Sequence, residues 1–230
     1  MAEARKKNPQ FTTDPGTFVW PKLFEPDFKW KEAGEFSVKF RQESAKAQAL
    51  LKKLKPLHDD AIKEGKAAYA ALPKASRVKL DAKGGFTANP LYSDVYDENE
   101  EETGEIEIKF TMTHEITSKK TGKTFKKYPA VFDAKGKPIV KKIDIGSGTL
   151  GKVTFEVAPY FIPGTGAAGL SLRLQAAQII DLVAFGQRSA SQYGFGEEDG
   201  YSASDEDETE EDTSETSDEA DTSDSGEDDF

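Results

Sequence analysis

The chain has 230 residues, no cysteine, 31 Lys and Arg against 42 Asp and Glu, and a formal net charge of −11. Without cysteine, disulfides and thiolate metal sites are excluded. No run approaches the roughly 18 to 20 apolar residues of a membrane span, and "MAEARKKNPQ" has no apolar stretch of a signal peptide, so the expectation is a soluble intracellular protein.

The net charge conceals two unlike parts. No Lys or Arg follows Arg188, and Glu197 to Phe230 hold 18 acids and no base. Residues 1 to 196 therefore carry 24 acids against all 31 bases, a net of +7. A basic body joined to an acidic tail points to a polyanionic partner and a competitor for it on the same chain.

In chain order, residues 1–15 are polar and read as a flexible arm. "GTFVWPKLFEPDF" is apolar and aromatic but interrupted by Pro21 and Pro26, as an edge strand tolerates. "EFSVKFR" alternates, with Phe36, Val38 and Phe40 on one face and Ser37, Lys39 and Arg41 on the other, a half-buried strand. "ESAKAQALLKKLKPLHDDAIKEGKAAYAAL" is rich in good helix formers, with Leu50, Leu51, Leu54 and Leu57 at helical spacing. Pro56 should kink it or start a second segment. Residues 73–104 read as a loop-like insertion with an acidic run at "DENEEE".

"EIEIKFTMTHEI" alternates again and sets Ile106, Ile108, Phe110, Met112, His114 and Ile116 on one face. "SKKTGK" is a turn, "TFKKYPAVFD" a return strand and "AKGKP" a second turn. "GKVTFEVAPYF" turns Val153, Phe155 and Val157 inward, and "LSLRLQAAQIIDLVAF" opens on alternating Leu170, Leu172 and Leu174. This pattern, with one helix inserted after the early strands and no βαβ alternation, predicts a mainly β fold: a small β-barrel or sandwich. Beyond Phe185 the chain becomes Gly/Ser-rich and then acidic. With only Tyr201 and Phe230 as aromatics, the acidic tail cannot bury enough apolar area to offset ordering, so residues 189–230 read as disordered. The body is then 16–188.

Enzymatic constellations are poor. His58 and His114 are the only imidazoles; His114 falls on an apolar strand face and reads as a packed core residue, and His58 as solvated. There is no G-x-S-x-G, phosphate loop or H-E-x-x-H, and "GSGTLGK" reads as a turn. No enzyme, cofactor or metal site is expected. What the body does carry is lysine interleaved with aromatics. Lys119, Lys120, Lys123, Lys126, Lys127, Lys135 and Lys137 lie among Phe125, Tyr128 and Phe132. Lys152 and Arg173 take polar-facing strand positions, and Tyr160 and Phe161 end a strand. Phe18, Trp20, Phe28 and Trp30 form a second aromatic group near Lys22, Lys29 and Lys31. Cations that track phosphates beside rings that stack on bases suit single-stranded nucleic acid. The lysine-rich helix has few Arg, Asn or Gln to read base edges. A small β-barrel presenting such residues is the oligonucleotide-binding (OB) solution. The rival reading is an acidic-tailed chaperone or interaction module for basic partners, which would not need a body of +7.

The stretch "KKTGKTFKKYPAVFDAKGKP", then "KVTFEVAPYFIPGTGAAGLSLRLQAAQIIDLVAFG" and the terminal "DDF", resembles the T7-type bacteriophage single-stranded-DNA-binding proteins from about residue 16 onward. The resemblance implies an OB-fold Greek-key barrel with an extra helix, binding of single-stranded DNA in replication and recombination, and location in the cytoplasm of the infected host. It implies an acidic tail that shields the DNA cleft and contacts replication proteins (polymerase, helicase/primase), with Asp228, Asp229 and Phe230 as partner-binding residues. Lys109, Lys152 and Tyr160 match the family's DNA-facing positions. The strand "EIEIKFTMTHEI" departs from the family in having fewer bases and aromatics. A homodimer is left open.

Overall fold

The computed structural model describes residues 8–118 and 121–184. The expected tail, with Asp228, Asp229 and Phe230, lies outside the described residues, as do Lys119 and Lys120. The elements are β1 (Gln10–Thr12), β2 (Gly16–Asp27), β3 (Glu35–Glu43), α1 (Ser44–Ala70), α2 (Lys74–Asp81), β4 (Thr87–Ala88), β5 (Ser93–Tyr96), β6 (Glu102–Thr113), β7 (Glu115–Thr117), β8 (Thr124–Lys126), β9 (Ala130–Phe132), β10 (Leu150–Ile162) and β11 (Ala167–Asp181).

Five long strands close a barrel. The order β10–β2–β3–β6–β11 returns to β10 through a second pairing, β10 with β11. All contacts in this ring are antiparallel except β6 with β11, which is parallel and rests on the register pair Arg173↔Thr111. Closure leaves the main strands without free edges, and this mixed five-stranded ring is the OB arrangement. The helix enters between β3 and β6, after the early strands as expected.

Alternation fills the interior. Phe36, Val38 and Phe40 of β3, Ile106, Ile108 and Phe110 of β6, and Val153, Phe155 and Val157 of β10 are all buried, as are Leu172 and Leu174 of β11. Phe18, also buried, leaves the candidate aromatic surface for the core. Phe110 and Phe155 meet across the interior with ring centroids 4.6 Å apart, and Phe40 lies edge-on to Phe110 at 6.1 Å. Each buried Phe contributes about 1.5 to 3 kcal/mol.

Helix α1 buries Ala47, Leu50, Leu54, Ala61 and Gly65. Gly65 is required: a Cβ there would stand 2.3 Å from the Ala168 side chain of β11. Pro56 does not divide the helix. Pro56 and Lys52 are both exposed, so the carbonyl that loses its hydrogen bond faces water.

Other expectations are corrected. Residues 10–12 are not a loose arm, because they pair with Glu156, Phe155 and Thr154 of β10, and Phe11 packs on Phe155. Residues 73–104 are not a loop alone: they hold α2, β4 and β5, with β4 parallel to β11 and β5 antiparallel to β6. The single return strand is two, since the chain leaves β7–β8 at Lys126 and joins β11 only from Ala130, with Pro129, which has no N–H, between them. Ile116 does not continue the buried face and is 40% exposed. "GSGTLGK" is a turn whose backbone N–H groups are engaged, Gly146 with Val183 O and Gly148 with Phe18 O. Among the described residues no helix is long and apolar enough to cross a membrane.

Candidate nucleic-acid interface

Outward positions of β3 and β6 carry the charge. Register sets Lys39 directly against Lys109, with Arg41 against Glu107 and Ser37 against Thr111. Like charges opposed across strands are destabilising. Two carboxylates offset them: Glu107 meets Lys39 at 2.7 Å and Arg41 at 3.1 Å, and Glu35 meets Lys31 and, at 3.9 Å, Lys109. Burial pushes the Glu107 carboxyl up, but the hydrogen bonds from Lys39 and Arg41 outweigh it and hold the group below its ordinary range. Lys31 is held below the usual amine range, first by partial burial and then by repulsion from Lys109. Exposed pairs of this kind contribute about 0 to 1 kcal/mol, so a phosphate can replace the carboxylate at little cost.

The same face continues over β11 and β10. Arg173 is exposed, opposite Thr111 on one side and Glu156 on the other. Four residues along β10, about 13 Å, Lys152 is half-buried opposite Gln178. Between the face and the β7–β8 hairpin lies a groove of 560 Å³, in which three cations, Lys31, Lys127 and Arg173, stand against two carboxylates, Glu115 and Glu156.

His114, between Thr113 and Glu115 of the groove lining, gathers a cluster of aromatic rings. It is 4% exposed, as a packed histidine should be. Its backbone N–H donates to Gly34 O, its Nδ1–H donates to Lys127 O at 3.0 Å, and its own carbonyl accepts from Lys127 N–H. Around its ring stand Tyr128 at 4.9 Å, Phe36 at 5.4 Å and Phe28 at 6.3 Å between centroids. The β2–β3 connection and the segment after β8 are thereby joined. Tyr128 is 61% exposed and Trp30 84%, with the Lys29 ammonium 5.3 Å from the Trp30 ring. The two aromatic–basic groups, far apart in sequence, thus meet at one end of the barrel.

The remaining candidates are spread more widely. Lys123 and Lys126 are exposed on the hairpin, whose turn needs Gly122 at φ 66°, and Lys126 lies 3.5 Å from Glu115. Trp20 is exposed at a bulge in β2, left-handed at φ 49°, its N–H bonded to Ser147 Oγ. It does not line the groove. Tyr160 and Phe161 are half-buried at the far end of β10. The Tyr160 ring lies against Gly169, and its hydroxyl accepts from the Asn89 side-chain amide at 2.5 Å. Lys39 and Arg41 are absent from the candidate set, although the alternation of "EFSVKFR" already puts them on the polar face; Lys31 belongs to the second aromatic–basic group. Among the described residues no cluster of three or more His, Asp or Glu is arranged to hold a metal ion.

The profile of the family "Single-stranded DNA-binding protein, Bacteriophage T7" matches residues 17–182. A single-stranded DNA-binding protein of Enterobacteria phage T3 is 26% identical over 230 residues, covering 92% of this chain and 95% of its own. The crystal structure of gp2.5, a single-stranded DNA binding protein encoded by bacteriophage T7, superposes with a TM-score of 0.56 at 24% identity, over 86% of this chain and 100% of that one.

Proposed function

The chain belongs to the bacteriophage T7 single-stranded DNA-binding protein family, and we propose that it holds single strands, without regard to sequence, during phage DNA replication and recombination in the cytoplasm of the infected cell. The carrying observation is the convergence of Lys31, Lys127 and Arg173 on one groove, with the exposed rings Trp30 and Tyr128 next in sequence to the first two. Cations meet the phosphates and rings meet the bases, and every base has a face to stack. The role is binding, not catalysis. The acidic tail supplies the contacts with replication proteins, Phe230 as its apolar anchor and Asp228 and Asp229 as its charges.

Fluorescence titration with single- and double-stranded oligonucleotides at two salt concentrations tests this. Each neutralised phosphate of a single strand adds about −0.7 to the log–log salt slope, so about four to six contacts give a slope of about −3 to −4. Equal affinity for duplex, or a slope near zero, contradicts the reading.

A further inference from the structure

We propose that the groove along α1 is a second track for single-stranded DNA, continuing the sheet face beyond Tyr160. The proposal rests on the reading of the sheet face as the primary DNA surface. Two cavities, of 370 and 510 Å³, adjoin through His58 and Asp59. Together they follow α1 along the segment that carries Ala88, Pro90, Leu91 and Tyr92.

One wall of this groove is a lysine stripe. Lys52, Lys55, Lys63 and Lys66 are exposed, and the spacings of three, eight and three residues keep them on one side of the helix. They span about 21 Å, room for several nucleotides. None makes an ion pair with a described residue. Two carboxylates, Asp59 and Asp94, line the groove, so the cations outnumber them. Tyr92, 37% exposed, is the ring that lines the groove, and Lys66 Nζ is also 6.0 Å from the centroid of the half-buried Phe86. Unpaired cations beside an exposed aromatic ring are the chemistry of a single-strand channel.

The groove is tied to the sheet face by a chain of hydrogen bonds. His58 Nε2–H donates to the Asn89 carbonyl at 2.8 Å, and the Asn89 side chain donates to Tyr160. Asn89 N–H donates to Ala168 O of β11. Tyr160 thus marks the place where a strand leaving β10 would meet the helix.

The test uses the intact chain and two oligothymidylates, about 6 and about 20 nucleotides long, within and beyond the site size of one such barrel. Replacing Lys52, Lys55, Lys63 and Lys66 together by Gln keeps helix propensity and removes the charge. The short oligomer should bind as before. The long one should lose about tenfold in affinity, with its salt slope reduced by about 1.5 to 3 units. Asp59→Asn with Asp94→Asn should tighten the long oligomer alone. Should the fourfold variant unfold at lower temperature, Lys55→Gln and Lys63→Gln singly should each reduce the long-oligomer slope by less than about one unit. An unchanged long-oligomer slope in these variants overturns the proposal and leaves the groove to an acidic protein partner. Failure of the unaltered chain to bind the short oligomer would instead refute the primary reading of the sheet face.

Discussion

On the sheet face Lys39 and Lys109 oppose each other with Glu107 and Glu35 at hand, whereas along α1 four lysines face solvent with no ion-pair partner among the described residues. The paired cations are held in place, so a phosphate that displaces a carboxylate meets a positioned donor and orders little more side chain. The unpaired ones attract over a longer range, lose more freedom when they engage, and are screened beyond about 8 Å at physiological salt. The sheet face is suited to local grip with stacking, the helix groove to salt-sensitive extension of it.

The comparison breaks most sharply at the rings. Trp30→Ala with Tyr128→Ala removes two stacking contacts at about 1 to 3 kcal/mol each, a loss of about thirtyfold or more in affinity. The salt slope should not move. Equilibrium titration checks both, and thermal unfolding separates lost binding from lost packing of Tyr128 on His114 and Phe36. Affinity that is unchanged while the fold stays intact would remove stacking from the sheet face. Next in size, Lys127→Ala with Arg173→Ala should reduce the slope by up to about 1.4 units and the affinity by about tenfold. A variant that binds less well at an unchanged slope would show that these groups pack and do not neutralise phosphate.

Smaller effects sharpen the picture. Lys152→Ala should cost a few-fold in affinity and less than about one unit of slope; no change would confine the face to the end near Arg173. Smallest, Glu107→Gln frees Lys39 and Arg41 and should tighten binding by about twofold, within the worth of exposed pairs. It should also remove a pH-dependent contribution to stability. Glu107 is lowered from 4.5 in the fold, so its stabilising effect is present above that value and is lost as pH falls through the lower folded one. Acid unfolding of the Gln variant should lack this component, and an identical acid limb would mean the ion pairs do not hold the face.

The strands of the barrel were legible because each has one buried face, so Phe36, Val38 and Phe40, or Val153, Phe155 and Val157, alternate with polar neighbours. α1 was legible from its leucine spacing. β1 and β4 were not, since a strand of three residues such as Gln10–Thr12 or two such as Thr87–Ala88 has no period to detect and exists only through its partner. α2 was missed because Leu80 is its only buried residue. The residue types of the candidate site were readable, but their assembly was not. Phe28 and Tyr128 meet through His114 across a hundred residues of chain, a contact set by barrel closure and invisible to local pattern. Tyr160, readable as a strand-end aromatic, acquires its setting from Asn89, just after β4, and from His58 of α1, which tertiary packing brings to it.

Photocrosslinking of a short thymidylate to the intact chain, followed by mass spectrometric identification of the modified peptides, locates the bound strand on the protein. Adducts are expected on the peptides that contain Trp30 and Tyr128, the neighbours in sequence of Lys31 and Lys127, which line the groove with Arg173. Adducts confined to other peptides, with Trp30 and Tyr128 unmodified under conditions where the oligomer is bound, would contradict this placement.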